Sequence, residues 1–286
     1  MKILLTGKSG QLGYELERSL QGLGEVVALD RAGMDLSDLD QVRDVIRRLQ
    51  PGLIVNPAAY TAVDKAESEP ALAHRINAEA PGLMAQEAAR LGAAIVHYST
   101  DYVFDGSKAS AYLEGDATGP LNVYGASKLA GEQAIAAAGA RHLIFRTSWV
   151  YGMRGKNFLL TMLRLASERE ELRIVDDQHG APTWSRTIAD TSALILAQAR
   201  VGGDDWWARH GGVYHLSSQG RTTWYGFTQA ILAAAHIDCR LIPISSADYP
   251  VPARRPNNSV LSSDRLIGGF CHLPQWQDAL RLCLQT

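Results

Sequence analysis

KILLTGKSGQLGYELERSLQGLGEVVALD, residues 2–30, sets two short apolar runs either side of a glycine cluster and an amphipathic stretch. Lys2 to Leu5 reads as a buried strand, and Thr6 leads into glycines spaced G-x-x-G-x-x-G at Gly7, Gly10 and Gly13. Gln11 to roughly Leu23 has the spacing of a helix with one apolar face. Glu25 to Leu29 is a second strand, ending at Asp30, twenty residues beyond Gly10. Glycine permits the tight turn, lets backbone N–H groups approach a pyrophosphate, and lets the helix pack closely on the strand. The helix N-terminus adds partial positive charge, and an acid at the end of the second strand can accept hydrogen bonds from ribose hydroxyls. Strand, glycine turn, helix, strand and acid in this order predict a dinucleotide-binding unit.

Outward from that stretch the alternation continues. Ser37 is the expected N-cap of a helix ending near Pro51, and Leu53 to Asn56 is a third strand, followed by Pro57-Ala58-Ala59-Tyr60-Thr61. Pro70 opens an Ala-rich helix running to Leu91, with Gly92 as its stop. Ile95 to Tyr98 is a fourth strand, Leu121 to Ala138 a helix stopped by Gly139, and His142 to Arg146 a fifth strand. Near-continuous apolar strands alternating with helices predict an α/β fold, a Rossmann-type doubly wound parallel sheet covered on both faces. Beyond Arg146 the texture becomes more aromatic and irregular. Helices are expected over Asn157–Glu168, Thr187–Val201 and Trp224–His236, a strand over Val213–Leu216, and a packed loop at Trp206-Trp207. The division expected is a nucleotide-binding domain over 1–148 and a smaller, interleaved substrate domain over 149–286, with the helix near 187–201 returning to the sheet. Ala247 to Asn258, with Pro250, Pro252, Arg254, Arg255 and Pro256, reads as a rigid basic loop suited to phosphates.

The chemistry concentrates between Ile95 and Lys128. Ser99, Thr100 and Asp101 follow the fourth strand, at the edge where open α/β sheets keep their ligands. Tyr124 and Lys128 stand four residues apart on the following helix, and so share one face. A free tyrosine, with a pKa of about 10, exchanges protons slowly near neutrality. An ammonium one turn away favours the phenolate, and the Thr100 hydroxyl can donate to the same substrate oxygen. Thr100, Tyr124 and Lys128 are therefore the expected catalytic residues, acting on a carbonyl. Trp149, leaving the fifth strand, is a candidate for touching substrate. His97 and His179 receive no role, because no histidine pair has metal-ligand spacing.

Composition narrows the rest. A chain of 286 residues, 46% hydrophobic and 20% charged, is that of an ordinary globular protein with a sizeable core. A net charge of −2 gives no electrostatic case for nucleic acid or an anionic membrane. Cys239, Cys271 and Cys283 form no C-x-x-C pair, which suits a reducing compartment, and no apolar run approaches a membrane span. The apolar start is too short for a secretory signal, so the cytoplasm is expected.

TGKSGQLG (6–13), YSTDYVFDG (98–106), NVYGASKLAGE (122–132) and RTSWVYG (146–152) together resemble the extended short-chain dehydrogenase/reductase superfamily. NPAAYTAVDKAE (56–67), DQHGAPTW (177–184) and ARRPNNSVLS (253–262) are similar to the dTDP-4-dehydrorhamnose reductase family. That resemblance implies reduction of dTDP-4-dehydro-L-rhamnose with NADPH or NADH, in the making of a donor for bacterial surface polysaccharide. It makes Tyr124 the proton donor, Lys128 the anchor of the nicotinamide ribose and Thr100 the group that orients the carbonyl. It places Gly10, Gln11 and Leu12 at the pyrophosphate and Asp30 at the ribose, with Gly7 and Gly13 also in the cofactor site. Asp35, Leu36, Ala59, Tyr60 and Thr61 line the rest of the cofactor site, and Thr100, Asp101 and Trp149 meet the sugar. Two departures stand out: Pro57 interrupts the family's run of alanines, and Arg186 stands where magnesium-bridged members carry a carboxylate. Glu15 is present, but no metal ligand set is expected, and a homodimer would not be metal-bridged. Two other readings are a dehydratase or epimerase on the same scaffold and a non-catalytic nucleotide-binding regulatory subunit. Thr100-Asp101 is followed by Tyr102 where dehydratases carry glutamate, and the retained Thr100, Tyr124 and Lys128 favour turnover.

Overall fold

The computed structural model describes residues 1–286. Its centre is a six-stranded sheet. Strands β1 (Lys2–Leu5), β2 (Glu25–Ala28), β3 (Leu53–Asn56), β4 (Ala94–Thr100) and β5 (Arg141–Thr147) are joined by the strand Gly212–His215. The order is β2-β1-β3-β4-β5 with Gly212–His215 outermost, and every pairing is parallel. The winding reverses between β1 and β3, which opens a crevice beyond the C-terminal ends of the strands. Side chains alternate between two cores. Ile3, Leu5, Val55, Val96 and Phe145 face one side, against Leu12, Leu16, Ile188 and Ile195. Leu4, Ile54, Ile95 and Ile144 face the other, against Val42, Ile46, Met84 and Ile135. Each such buried side chain contributes roughly 1.5–3 kcal/mol.

Local chemistry shifted some boundaries. Asp38, not Ser37, caps the helix Leu39–Leu49, its carboxylate accepting from the Gln41 N–H. The reason is that Asp35 already engages both the N–H and the hydroxyl of Ser37. Strand β4 extends through Ser99 and Thr100, because β5 supplies partners as far as Thr147. The Ala-rich helix from Pro70 to Leu91 contains a π segment at Arg75–Glu79. That segment carries Asn77, fully buried between Ile76 and Ala78.

The second half of the chain builds a separate core from Tyr151, Leu159, Phe227, Ile231, Trp276 and Leu280. It also returns twice to the sheet, as Gly212–His215 and as the helix Ser185–His210, which packs on Gln11–Ser19. That helix is longer than its sequence suggested, kinking at Gly203 (φ +58°) and carrying Trp206 and Trp207 within it rather than in a loop. Trp206 is buried against His210 and Phe270, and this packing keeps the polar last turns attached. Glu171–Val175 and Arg240–Ile244 form a parallel pair that the sequence did not reveal. Both are short; Arg173 breaks the apolar run of the first, and Pro243 interrupts the second. No helix is long and apolar enough to cross a membrane.

Candidate active site

The glycine turn opens on a cavity of about 620 Å³ at the C-terminal edge of the sheet. Gly7 takes φ +60°, and its N-terminal neighbour hands the chain directly from β1 into the turn. A Cβ at Gly13 would lie 2.1 Å from the Gly7 carbonyl oxygen, so only glycine allows this helix to sit so close. No side chain caps the helix Gln11–Ser19, leaving its first-turn N–H groups for a ligand. Gly7, Gly10, Gln11, Leu12 and Gly13 line the cavity from this side. Asp30, Asp35 and Leu36 line it from the segment after β2, and Ala59, Tyr60 and Thr61 from the segment after β3. Tyr124 and Lys128 close its inner end. The thirteen positions expected at a cofactor thus surround one space, although they come from four separate parts of the chain.

Several of them have other duties as well. Asp30 Oδ1 accepts from the N–H groups of Ala32 and Gly33, fixing its own turn. Asp35 binds Arg31 at 3.0 Å and both donors of Ser37, and these hydrogen bonds outweigh desolvation to hold its carboxyl below the usual range. The Gln11 side chain reaches across to the second half of the chain, donating to the Val150 carbonyl at 3.1 Å and accepting from Asn157. Tyr60 is held through its backbone by the buried amide of Asn77, at 2.8 and 3.0 Å, while its hydroxyl donates to Glu69. Asn77 also donates to Ser127, one residue before Lys128, and so ties the segment after β3 to the tyrosine–lysine helix.

That helix, Val123–Ala137, is capped by Asn122, whose side chain accepts from Gly125 N–H. It lies close to the main chain of Tyr102, since a Cβ at Gly125 would meet the Tyr102 carbonyl at 2.2 Å. The approach brings the Tyr124 hydroxyl within hydrogen-bonding reach of Thr100. Thr100 in turn donates to Asp101 Oδ1 at 3.0 Å, and Ser148 donates to Asp101 Oδ2 at 3.0 Å. Asp101, like Thr100, is buried, and burial pushes its carboxyl up to about 6. Desolvation raises the Tyr124 phenol to about 12, against a smaller lowering from Thr100. Burial thus favours the neutral phenol, the form a proton donor requires.

Lys128 makes no hydrogen bond to Tyr124. It donates to the Tyr98 carbonyl at 2.6 Å and lies 3.0 Å from His97 Nε2. Burial pulls its pKa down to about 7, with Glu132 opposing. Glu132 is itself engaged by Arg146 of β5 in a buried two-pronged pair at 2.7–3.2 Å.

A second cavity, of about 740 Å³, lies in the other half. Phe158 and Trp224 give it an aromatic wall, and Arg169, Arg173, Tyr249 and Arg255 give it polar groups. Trp149 sits beside it with an unusual backbone, φ +46°, its indole stacked on Trp224 at 3.5 Å and 6°. Gly180 makes room for that indole, because a Cβ there would fall 2.4 Å from it. Of the basic loop, Arg255 is paired with Asp64 at 2.8 and 3.0 Å, which pins the loop to the segment after β3. Phe158, Trp224 and the strand pair behind them escaped the sequence reading. Their signal was only a run of aromatics at unremarkable spacing.

A model of the RmlD substrate binding domain family matches residues 1–286. The chain belongs to that family, the dTDP-4-dehydrorhamnose reductases. Over 297 residues it is 52% identical to the dTDP-4-dehydrorhamnose reductase of Burkholderia thailandensis, covering all of this chain and 98% of that one. Among solved structures, the reductase of Clostridium acetobutylicum superposes with a TM-score of 0.91 at 35% identity, covering 100% and 99% of the two chains. The reductase of Bacillus anthracis, solved in complex with NADP, gives a TM-score of 0.90 at 34% identity with the same coverage. No cluster of three or more histidine, cysteine or acidic side chains is arranged to hold a metal ion. Glu15 and Arg186, the pair singled out in the sequence for a bridging metal, form an ion pair with each other at 3.0 Å.

Proposed function

We propose that this chain reduces the 4-keto group of dTDP-4-dehydro-L-rhamnose to give dTDP-L-rhamnose, using NADPH or NADH. The observation that carries the reading is that Tyr124 and Lys128 both line the glycine-turn cavity, with Thr100 within hydrogen-bonding reach of Tyr124. The uncapped helix N-terminus and the glycines suit a pyrophosphate, and Asp30 suits a ribose. A reduced nicotinamide bound there supplies the hydride to carbon 4 of the sugar. Tyr124, kept neutral by its surroundings, gives its proton to the keto oxygen as negative charge develops. Thr100 reaches the same oxygen by turning its hydroxyl away from Asp101. Lys128 has two protein partners, which leaves one N–H of the ammonium for a ribose hydroxyl.

The second cavity suits the nucleoside diphosphate end of the substrate. Phe158 and Trp224 can stack on a base, and Arg169 and Arg173 can meet phosphate oxygens. On this account residues 1–148 hold the cofactor and most of 149–286 holds the sugar nucleotide, with Trp149 where the two meet. A cytoplasmic location fits the reaction, and any homodimer would form without a bridging metal. The test is cofactor oxidation with freshly made dTDP-4-dehydro-L-rhamnose, compared with dTDP-4-dehydro-D-glucose. Turnover is expected on the first and little on the second; oxidation with neither would overturn the reading.

A further inference from the structure

His97 lies at the middle of β4, fully buried, and the reduction described above gives it no part. Its two ring nitrogens both have partners. Nε2 is 3.0 Å from Lys128 Nζ, and Nδ1 is 3.1 Å from Asn56 Nδ2 on β3, where the two residues are register partners. Asn56 Oδ1 accepts from the Thr6 hydroxyl at 2.6 Å, and Thr6 immediately precedes the glycine turn. Thr6 Oγ1 also accepts from Ala58 N–H at 3.3 Å, next to the cavity. Four side chains, one just past the end of β1, one each on β3 and β4, and one on a helix, thus form an unbroken buried row from the turn to the lysine.

Donor and acceptor rules restrict this row to two arrangements. In the structure Asn56 offers N–H to Nδ1, so the proton of a neutral imidazole sits on Nε2 and faces the lysine as a donor. That suits a Lys128 amine. A Lys128 ammonium needs a bare Nε2, so the proton must sit on Nδ1 and Asn56 must turn its oxygen toward the ring. Thr6 can serve either orientation, because its hydroxyl both donates and accepts. No other titrating group bonds to the imidazole. Glu132, one turn beyond Lys128, is held by Arg146 from β5. Tyr98 of β4 meets Lys128 only through its carbonyl, its phenol donating to Ser192. Asp101 is bonded to Thr100 and Ser148, and Tyr124 lies within reach of Thr100. Asn77 of the helix before β4 is bonded to Tyr60 and Ser127 and does not titrate.

We propose that His97 is the positioning residue for Lys128, and that its tautomer, set through Asn56 and Thr6, governs whether the lysine meets the cofactor as ammonium or amine. Burial already makes the ring hard to charge and brings the lysine's proton affinity close to neutrality, so small changes in partner decide the state. The inference rests on the reductase reading, but one of its measurements does not use the substrate.

That measurement is nitrogen NMR of the His97 ring in the wild-type protein between pH 5.5 and 9, limits bracketing the lysine's pKa of about 7. The proton should move from Nδ1 to Nε2 as the lysine discharges; ring shifts that stay constant across that range would overturn the proposal. In turnover assays the alkaline fall of kcat/KM should follow the same midpoint. His97→Leu removes the partner, and should lower kcat/KM about tenfold at pH 7 and move the alkaline limb to lower pH. His97→Gln restores a hydrogen-bonding group at Nε2 and should recover most of that loss, with the far-UV circular dichroism spectrum and melting temperature as folding controls. Asn56→Asp can only accept from Nδ1, which fixes Nε2 bare, so its alkaline limb should move to higher pH by about one unit. If His97→Leu does not fold, His97→Gln and Asn56→Asp still decide the matter. Limbs coinciding with wild type in the variants that fold would leave His97 a packing residue only. A wild-type protein without turnover, but with the tautomer switch intact, would instead count against the reductase reading alone.

Discussion

The two cavities are built from different materials. The first is made largely of main chain and small side chains at the ends of parallel strands, with the uncapped helix Gln11–Ser19 aimed into it. The second is made of large side chains, Phe158, Trp224, Arg169 and Arg173, on elements that meet only through tertiary packing. A main-chain site needs glycine where a Cβ would collide, as at Gly13, and needs its strands and helices in order, so it leaves a spaced trace in the sequence. A side-chain site can be assembled from residues far apart and leaves almost none. Under the proposed function the labour is divided the same way, with chemistry and cofactor on one side and choice of sugar nucleotide on the other.

The largest expected effect breaks the division at its shared point. Tyr124→Phe keeps the ring but removes the proton donor, and should lower kcat about 10²-fold or more while NADPH affinity stays within about twofold. Near-normal turnover would mean that another group delivers the proton. Next, Trp224→Ala should raise KM for the sugar nucleotide about tenfold through loss of an aromatic face, and leave cofactor affinity unchanged. An equal loss on both ligands would show that the cavities are not separate in function. Asp30→Ala should then shift preference from NADH toward NADPH by about fivefold, the worth of relieving a ~1 kcal/mol repulsion between a carboxylate and a 2′-phosphate. Unmoved selectivity, measured as the ratio of kcat/KM for the two cofactors, would place Asp30 away from the ribose. The smallest expected effect is none: chelator treatment should change neither turnover nor sedimentation, because the Arg186 guanidinium occupies Glu15. A dimer that dissolved on chelation and re-formed with magnesium would show that other carboxylates bind the ion.

Legibility followed the same line. Strands β1 to β5 were readable because each is a short, nearly unbroken apolar run, and the cofactor-side residues because glycine spacing and strand ends locate them. Tyr124 and Lys128 were readable from their helical spacing, but the direction of the lysine was not. It depends on His97, whose place opposite Asn56 follows from strand register, and register is a property of the folded sheet. Asn77 was hidden by the π segment that turns it inward; Trp149 was singled out by its place after β5, but its positive φ and its stacking on Trp224 were not announced by any local pattern. The pairing of Glu171–Val175 with Arg240–Ile244 joins segments about seventy residues apart, beyond the reach of any local pattern.

The most direct test of the account is the fate of the hydride. NADPH carrying deuterium in place of the transferred hydrogen should be consumed in a one-to-one ratio with dTDP-4-dehydro-L-rhamnose, and the label should appear at carbon 4 of the product rhamnose. An epimerase or dehydratase returns the hydride it borrows, so cofactor would not be consumed in net turnover. Sugar product without cofactor oxidation, or label at any carbon other than 4, would contradict the assignment.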